Sequence, residues 1–363
     1  LKADDEEFCR ALTLAKTAFC LLNGGNLILL LDLNEVFKSF KGFHLLGEGH
    51  LKIAVLDDYQ NVVKELNVFE LLGGHDVIVL NQSYSEEYLV SQLMDVEAIV
   101  LIRERTVITE SLLKKLPSLK VISQTGKVSN HIDVALCQRY GVEVLEGVGS
   151  PVAPAELCWG LIMSASRYIP QYANALRRDL WQSSNGLGLG RTLKGLSLGI
   201  WGYGKIGKQI ARYAQAFDMQ VLIWGGEPSR EQAIKDGLLA ASSKADFFAD
   251  ADIISLHLRL SERSRGCVTA EDLALMKQDA LLVNTSRAEL IEPGALFDAL
   301  RHSPRRHAAI DVFDEEPARL VNEPLLMLDN VTATPHIGYV EHNSYELYFG
   351  VAFENLVNWQ EQR

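Results

Sequence analysis

The sequence predicts an α/β molecule built from two parallel-sheet lobes, and three observations carry that prediction. Short apolar runs of strand length alternate with helix-like segments, the pattern of parallel sheets covered by helices on both faces. The alternation starts at Leu51, pauses after Gly147 and restarts at Leu196. At 363 residues, the chain is also longer than one hydrophobic core usually accommodates.

The elements follow in order. Strands of the first lobe are read in "LKIAVLDDY" from Leu51, "HDVIVL", "VEAIVLI", "SLKVISQTG" and "VEVLEG". Between the second and third lies the helix-like "SEEYLVSQLM", with Ser85 as N-cap and acids in the first turn. The Pro-containing "GSPVAPAE" leads into a long helical run from Leu157 to Leu176, ahead of Trp181, and the Gly-rich "QSSNGLGLGRTLKG" reads as a surface connection. Strands of the second lobe are "LSLGIW", "MQVLIW", "ADIISLHL", "DALLVNTS", "HAAIDVF" and "NVTATPH". Thr269 and Asp272 have capping-box spacing, and Pro293 is expected to open the helix "PGALFDALR". No internal repeat is found. The first fifty residues show weak caps and weak periodicity.

Composition narrows the class. Hydrophobic residues make up 48% and charged residues 23%, the balance of a globular enzyme. The run "NLILLLDL" is too short to span a bilayer, and no secretory leader is read, so no membrane partner is expected. Five scattered cysteines (Cys9, Cys20, Cys137, Cys158 and Cys267) without a C-x-x-C suggest neither a disulfide framework nor a metal site, and a reducing cytoplasm is expected. A formal charge of −12 opposes nucleic-acid binding. An anionic substrate would require a local positive field.

Between "LSLGIW" and the helical "KIGKQIARYAQAF" lies "GYGKIG", that is Gly202, Tyr203, Gly204, Lys205, Ile206 and Gly207. The first glycine permits a tight turn, the second lets backbone N–H groups approach a pyrophosphate, and the third lets the helix pack closely on its strand. The helix N-terminus then faces the phosphates with partial positive charge. Ile206, Ile210, Ala214 and Phe217 give this helix an apolar face. An NAD site usually places an acid at the end of the next strand, to hold the ribose hydroxyls. Here that strand ends at Trp224 and Gly225, and the nearest acid, Glu227, comes two residues late. Ser229 and Arg230 offer donors for a 2′-phosphate, whereas Glu227 swinging back would restore ordinary NAD binding. NAD and NADP both remain open.

Near the end, "TPHIGY" places His336 in a turn where it is either an acid/base or a loop residue. Taken together, "GYGKIG", "SLHLRLSERSRG", "ALLVNTSRAELIEPGAL", "AAIDVFDEEP" and "TPHIGY" resemble the D-isomer-specific 2-hydroxyacid dehydrogenase family from about Leu51 onward. The resemblance implies a Rossmann dinucleotide-binding domain (151–336) inserted into a flavodoxin-like substrate domain (51–150 and 337–363). Hinges are expected near Ser150 and just after His336, with the C-terminal helix around "ENLVNWQ" returning to the first lobe. Implied partners are a small 2-oxo or 2-hydroxy acid and a second copy of the chain in a homodimer.

By the same resemblance the catalytic arginine is Arg287, the glutamate Glu316 and the histidine His336. The chemistry calls for these types. Reducing a 2-oxo acid adds hydride to carbon and a proton to oxygen, and histidine is the side chain best poised near neutral pH to give that proton. Glu316 would favour and orient the imidazolium, and Arg287 would bind carboxylate or carbonyl and favour charge on oxygen. Asp314 and Glu315 read as solvated neighbours of Glu316. Thr285 and Asp311 resemble nicotinamide-side contacts. His257, Leu258 and Gly338 are further cofactor positions. Gly126, Lys127 and Val128 match the loop whose backbone N–H groups receive the substrate carboxylate. Arg103 and Thr106 match the cleft-lining R-x-x-T, with Arg105 an alternative to Arg103; Tyr59 and Tyr339 either shape the pocket or pack in its rim. Ala288 stands where the family usually has glycine, and Arg259 where it has proline.

The implied function is reversible NAD(P)-linked reduction of a 2-oxo acid to a D-2-hydroxy acid. A dinucleotide-sensing binder of the corepressor type is the alternative. Residues 1–50 are expected to be an extension or upstream sequence, because Leu51 occupies the place where relatives would begin.

Overall fold

The computed structural model describes residues 50–363, so the expectation for the N-terminal segment falls on residues outside those described, apart from His50. In the first lobe, β1 (Lys52–Val55), β2 (Asp76–Val79), α1 (Glu86–Leu93), β3 (Ala98–Leu101), α2 (Glu110–Lys115), β4 (Val121–Gln124), α3 (Val134–Arg139) and β5 (Glu143–Leu145) alternate as expected. All pairings are parallel and the order is β2-β1-β3-β4-β5, the flavodoxin-like arrangement. The caps follow the sequence signals. Ser85, Thr109 and Asp133 each accept a bond from a backbone N–H in the first turn of α1, α2 and α3.

Next come α4 (Val152–Ser166) and α5 (Ile169–Leu176). Here the structure corrects the sequence reading: the helix begins before Leu157 and is not continuous to Leu176. The break lies at Tyr168, which adopts a left-handed φ of 53°. Pro170 supplies the reason, because its ring would collide with the carbonyl of Ser166 in an unbroken helix, whereas the first turn of α5 tolerates it.

The second lobe contains β6 (Ser197–Trp201), α6 (Lys205–Ala216), β7 (Gln220–Trp224), α7 (Glu227–Lys235), β8 (Leu239–Ala240), α8 (Lys244–Asp250), β9 (Ile253–Leu256), α9 (Ala270–Leu275), β10 (Leu281–Asn284), α10 (Ala295–Arg301), β11 (His307–Ile310) and β12 (Val331–Ala333). They form a parallel seven-stranded sheet of order β12-β11-β10-β9-β6-β7-β8, the doubly wound order with one added edge strand. The capping box of Thr269 and Asp272 forms at α9. Pro293 does not open α10: Gly294, at φ 78°, is the N-cap and the helix starts at Ala295. Phe217 is also less buried than its spacing implied, because it caps the end of α6 at 40% exposure and leans on Trp159.

The last helix, α11 (His342–Glu361), lies against the first lobe, not the second. Its Phe349, Ala352, Phe353 and Leu356 are buried with Ile53, Val55, Ala98 and Val121. Glu346 fastens it further, accepting from the N–H groups of Asn67 and Val68 at 2.8 and 3.1 Å. The crossing from the first lobe to α4 is pinned from the same helix, with Ser150 N–H donating to Tyr348 Oη at 3.0 Å. Each sheet is thus packed on both faces, and the order of each reverses once, between β1 and β3 and between β6 and β9. Crevices at the carboxyl ends of strands beside such reversals are where open α/β sheets take ligands.

Candidate active site

The glycine turn sits at the second of these reversals. Gly202 has φ 105°, and a Cβ there would lie 2.5 Å from the carbonyl oxygen of His257, so the turn runs hard against the end of β9. A Cβ on Gly207 would meet the Gly202 oxygen at 2.2 Å, which accounts for the close seating of α6 on β6. Gly204 is the N-cap of α6, has open space around it and makes no side-chain cap bond. The leading N–H groups of α6 therefore face an open space with no capping side chain, and the chain fits a pyrophosphate there. Lys205 is exposed at the first turn, and Ile206 packs half-buried on the core behind it. Tyr203 turns its side chain away from the turn, donating to Asp236 at 2.9 Å, and burial pushes its hydroxyl pKa up to about 12. Any contact it offers a cofactor is therefore through its backbone.

At the end of β7, Trp224 carries the Arg230 guanidinium 5.1 Å from its ring centroid. Gly225 follows with φ 152°, and Ser229 Cβ lies 3.5 Å from where a Gly225 Cβ would be. Glu227 is the first residue of α7 and is exposed. Across the turn, His257 Nε2 shares a 2.9 Å hydrogen bond with Ser255 Oγ, and desolvation lowers its pKa to about 4, so it stands neutral near pH 7. Leu258 Cδ2 touches the same turn. Thr285, after β10, lies near the thiol of Cys158, which shares a 3.3 Å hydrogen bond with Ser255 Oγ and which burial pushes up to about 11 and so keeps unreactive.

Glu316 and His336 come together. His336 Nδ1 and Glu316 Oε2 are 2.7 Å apart, and the other carboxylate oxygen accepts from Phe313 N–H at 3.1 Å. Among the described residues no hydrogen bond occupies Nε2 of the imidazole, so the ring is held from one side and available on the other. The turn that carries it is fixed by Asp311, which accepts from Thr334 Oγ1 at 2.6 Å, Ile337 N–H at 2.8 Å and Gly338 N–H at 2.9 Å. Burial raises the Asp311 carboxyl against those bonds. Asp311 and Gly338, expected at the cofactor, are thus also partners of each other, and a Cβ on Gly338 would lie 3.2 Å from Asp311 Oδ2.

Arg287 follows β10. Its Nη1 donates to Ser286 O at 2.6 Å and its Nη2 to Glu104 Oε1 at 2.7 Å. Glu104 belongs to the first lobe, so this pair spans the crevice. Burial pushes the Glu104 carboxyl up, but Arg287, Arg103, His131 and His336 outweigh that and hold it below its ordinary range. Glu104 thus contacts Arg287 and lies within the electrostatic reach of His336.

On the first lobe, Arg103 has a left-handed φ of 54°. Its guanidinium lies over Gly126, where a Cβ would come within 2.0 Å of Nη1, and 5.5 Å from the Tyr339 ring centroid. Arg105 is the more fully engaged arginine, donating to Tyr339 Oη at 2.9 Å, Asp57 O at 2.6 Å and Tyr345 Oη at 3.4 Å, with Tyr59 stacked on it. Thr106 bonds the Asp57 carboxylate and Tyr339 packs edge-on against His336. The loop of Gly126, Lys127 and Val128 departs from expectation, since its donors are not all free. Glu146 accepts from Val128 N–H at 2.9 Å and pairs with the Lys127 ammonium at 3.0 Å. The Val128 N–H is thus taken by a neighbouring carboxylate, whereas among the described residues no hydrogen bond occupies the N–H groups of Gly126 and Lys127.

Sequence reasoning missed Glu104 and His131. Glu104 stands between the two arginines of "RERT", and an acid flanked by cleft arginines was the available signal. His131 is 6% exposed, bonded through Nε2 to Gln124 at 3.0 Å, and burial lowers its pKa; nothing local in the sequence marks it.

The family model for the NAD-binding domain of D-isomer specific 2-hydroxyacid dehydrogenases matches residues 159–338. The chain is 34% identical over 290 residues to the D-3-phosphoglycerate dehydrogenase of Methanocaldococcus jannaschii, covering 79% of this chain and 53% of that one. It thus spans about half the length of that relative. Against the glyoxylate reductase of Aeropyrum pernix the identity is 34% over 279 residues, covering 75% of this chain and 82% of that one. Among solved structures, the phosphoglycerate oxidoreductase of Vibrio cholerae O395 superposes with a TM-score of 0.85 at 60% identity, covering 86% of this chain and 100% of that one.

Proposed function

From the premise that the chain belongs to the NAD-dependent D-isomer specific 2-hydroxyacid dehydrogenases, we propose that it reduces a small 2-oxo acid to the D-2-hydroxy acid, reversibly, with His336 as acid/base. One observation carries the reading: the imidazole is held at Nδ1 by Glu316, 2.7 Å away, and open at Nε2 in the crevice that also receives Arg287. The same arrangement favours turnover over the dinucleotide-sensing alternative, which has no use for a poised proton donor.

When bound at the glycine turn, the nicotinamide cofactor supplies or accepts the hydride. The chain's own groups do the rest. In reduction, protonated His336 gives its Nε2 proton to the carbonyl oxygen, while Glu316 keeps the Nδ1 proton in place and stabilises the imidazolium. Arg287 holds carboxylate or carbonyl oxygen and favours the developing negative charge. Arg103 and the N–H groups of the Gly126 loop take the substrate's carboxylate from the other side. Closure of the domains, 51–150 with 337–363 against 151–336, excludes water and strengthens each of these interactions.

Both NADH and NADPH are expected to serve. No carboxylate stands at the end of β7, and Ser229 and Arg230 lie beside Gly225. A hundredfold preference for NADH in KM would refute that part. A homodimer is proposed through the exposed apolar residues Ile169, Leu176, Leu180, Trp181 and Leu189, and light scattering giving a monomer would count against it. No described helix is long and apolar enough to cross a membrane, and the cytoplasm is the proposed compartment. The central test is a panel of 2-oxo acids with each cofactor on wild type and His336→Ala. Oxidation of NAD(P)H by wild type, abolished in the variant, is expected; no oxidation with any acid would refute the reading.

A further inference from the structure

We propose that the crevice selects 2-oxo acids carrying a single negative charge, because Glu104 neutralises Arg287 and leaves Arg103, among the described residues, as the arginine beside it whose guanidinium has neither an ion pair nor a hydrogen bond. The inference rests on the reductase reading above and narrows its substrate class.

The positive groups beside Arg103 already have partners. Arg287 pairs with Glu104 at 2.7 Å and His336 with Glu316 at 2.7 Å. Lys127 pairs with Glu146 at 3.0 Å. Arg105 has no ion pair among the described residues, but its guanidinium is occupied by Tyr339 Oη, the Asp57 main-chain carbonyl and Tyr345 Oη. Arg103 differs from all of these. Among the described residues its guanidinium has neither an ion pair nor a hydrogen bond, and its Nε is buried without a partner. It is held against the faces of Tyr339 and Tyr348, 5.5 and 5.9 Å from their centroids, on a backbone at φ 54°.

A half-buried guanidinium held by strained backbone and aromatic faces, with no anion of its own, is arranged for one that arrives from solution. One substrate carboxylate satisfies it. A second anionic group near Arg287 would have to displace Glu104, the least exposed of these carboxylates, or lie beside it as a like charge. Both are unfavourable. The side chain of the 2-oxo acid should therefore be uncharged, whether alkyl, aryl or hydroxylated.

The test uses pairs of substrates that share a carbon skeleton and differ in distal charge: hydroxypyruvate against 3-phosphohydroxypyruvate, and 2-oxobutanoate against oxaloacetate. Initial rates are measured with NADH and with NADPH. Wild type should favour the uncharged member by about tenfold or more in kcat/KM, the scale expected for like-charge rejection in a partly desolvated site. Glu104→Gln keeps an acceptor for Arg287 but removes the charge, and should narrow the ratio about tenfold, chiefly through a lower KM for the dianion. Arg103→Gln should raise KM for both members alike. Equal or better use of the phosphorylated or dicarboxylate substrate by wild type would overturn the proposal without touching the reductase reading, and so would an unchanged ratio in Glu104→Gln. Failure of wild type to oxidise either cofactor with any of the four acids would overturn both.

Discussion

His336 owes its position to the hydrogen bonds that other residues make around its turn. Its backbone sits at φ 50°, a conformation unfavourable for a side chain larger than glycine, and the three bonds from its turn to Asp311 hold it there. Two residue-scale predictions follow from this division of labour. His336→Ala should lower kcat by about a hundredfold to ten-thousandfold while cofactor affinity, read by quenching of tryptophan fluorescence, stays within about twofold. Asp311→Asn should be milder in chemistry but broader in effect. It replaces one acceptor of the three-bond set by a donor, so kcat should fall and the melting temperature should drop by several degrees, both measurable on the same preparation. If Asp311→Asn melted like wild type and kept its kcat, Asp311 would not be holding the turn.

At the scale of elements, the junction of β6, its glycine turn and α6 is where the backbone has least freedom. Gly202→Ala puts a methyl 2.5 Å from the His257 carbonyl at a φ of 105°, so the strand end and the helix start must separate. Cofactor affinity should weaken at least about tenfold, whereas far-UV circular dichroism should remain that of a folded chain, because the strain is local to one turn. Unchanged dissociation constants for both NADH and NADPH would contradict this. The junction was legible in the sequence because its requirement is strict: only glycine fits at 202 and 207, and the flanking strand and helix announce themselves by period. The break between α4 and α5 was less legible. "SASRYIPQY" reads as helix by composition, and only Pro170's demand on Ser166 interrupts it. The trio Arg287, Glu316 and His336 was readable through motif, but Glu104 was not. Its importance comes from tertiary proximity to Arg287, 183 positions away, which no local pattern encodes.

For the whole molecule, two histidines tie stability to pH. His257 and His307 both have pKa values lowered to about 4, each chiefly by desolvation, against 6.5 in an open chain. The sign follows from linkage: between about pH 6.5 and 4 the unfolded chain takes up protons that the folded chain refuses, so stability falls with pH across that window and is unaffected above it. Each group contributes up to ~3 kcal/mol at full effect, less where solvent reaches the ring. Urea midpoints should therefore hold steady from pH 8 to 7 and decline steadily from pH 6.5 towards 4. His307→Gln, which cannot titrate, should flatten part of that decline; an identical pH profile for variant and wild type would remove His307 from the account.

The placement of α11 carries a consequence for how the chain is made. The core of the first lobe interleaves Ile53, Val55 and Val121 with Phe349, Phe353 and Trp359, residues far apart along the chain. During synthesis the seven-stranded sheet can complete its packing first, but the lobe that precedes it must wait with an uncovered apolar face until α11 emerges. Until α11 is made the nascent chain thus displays a ready surface for chaperones, and of the two lobes the one begun earlier is completed later.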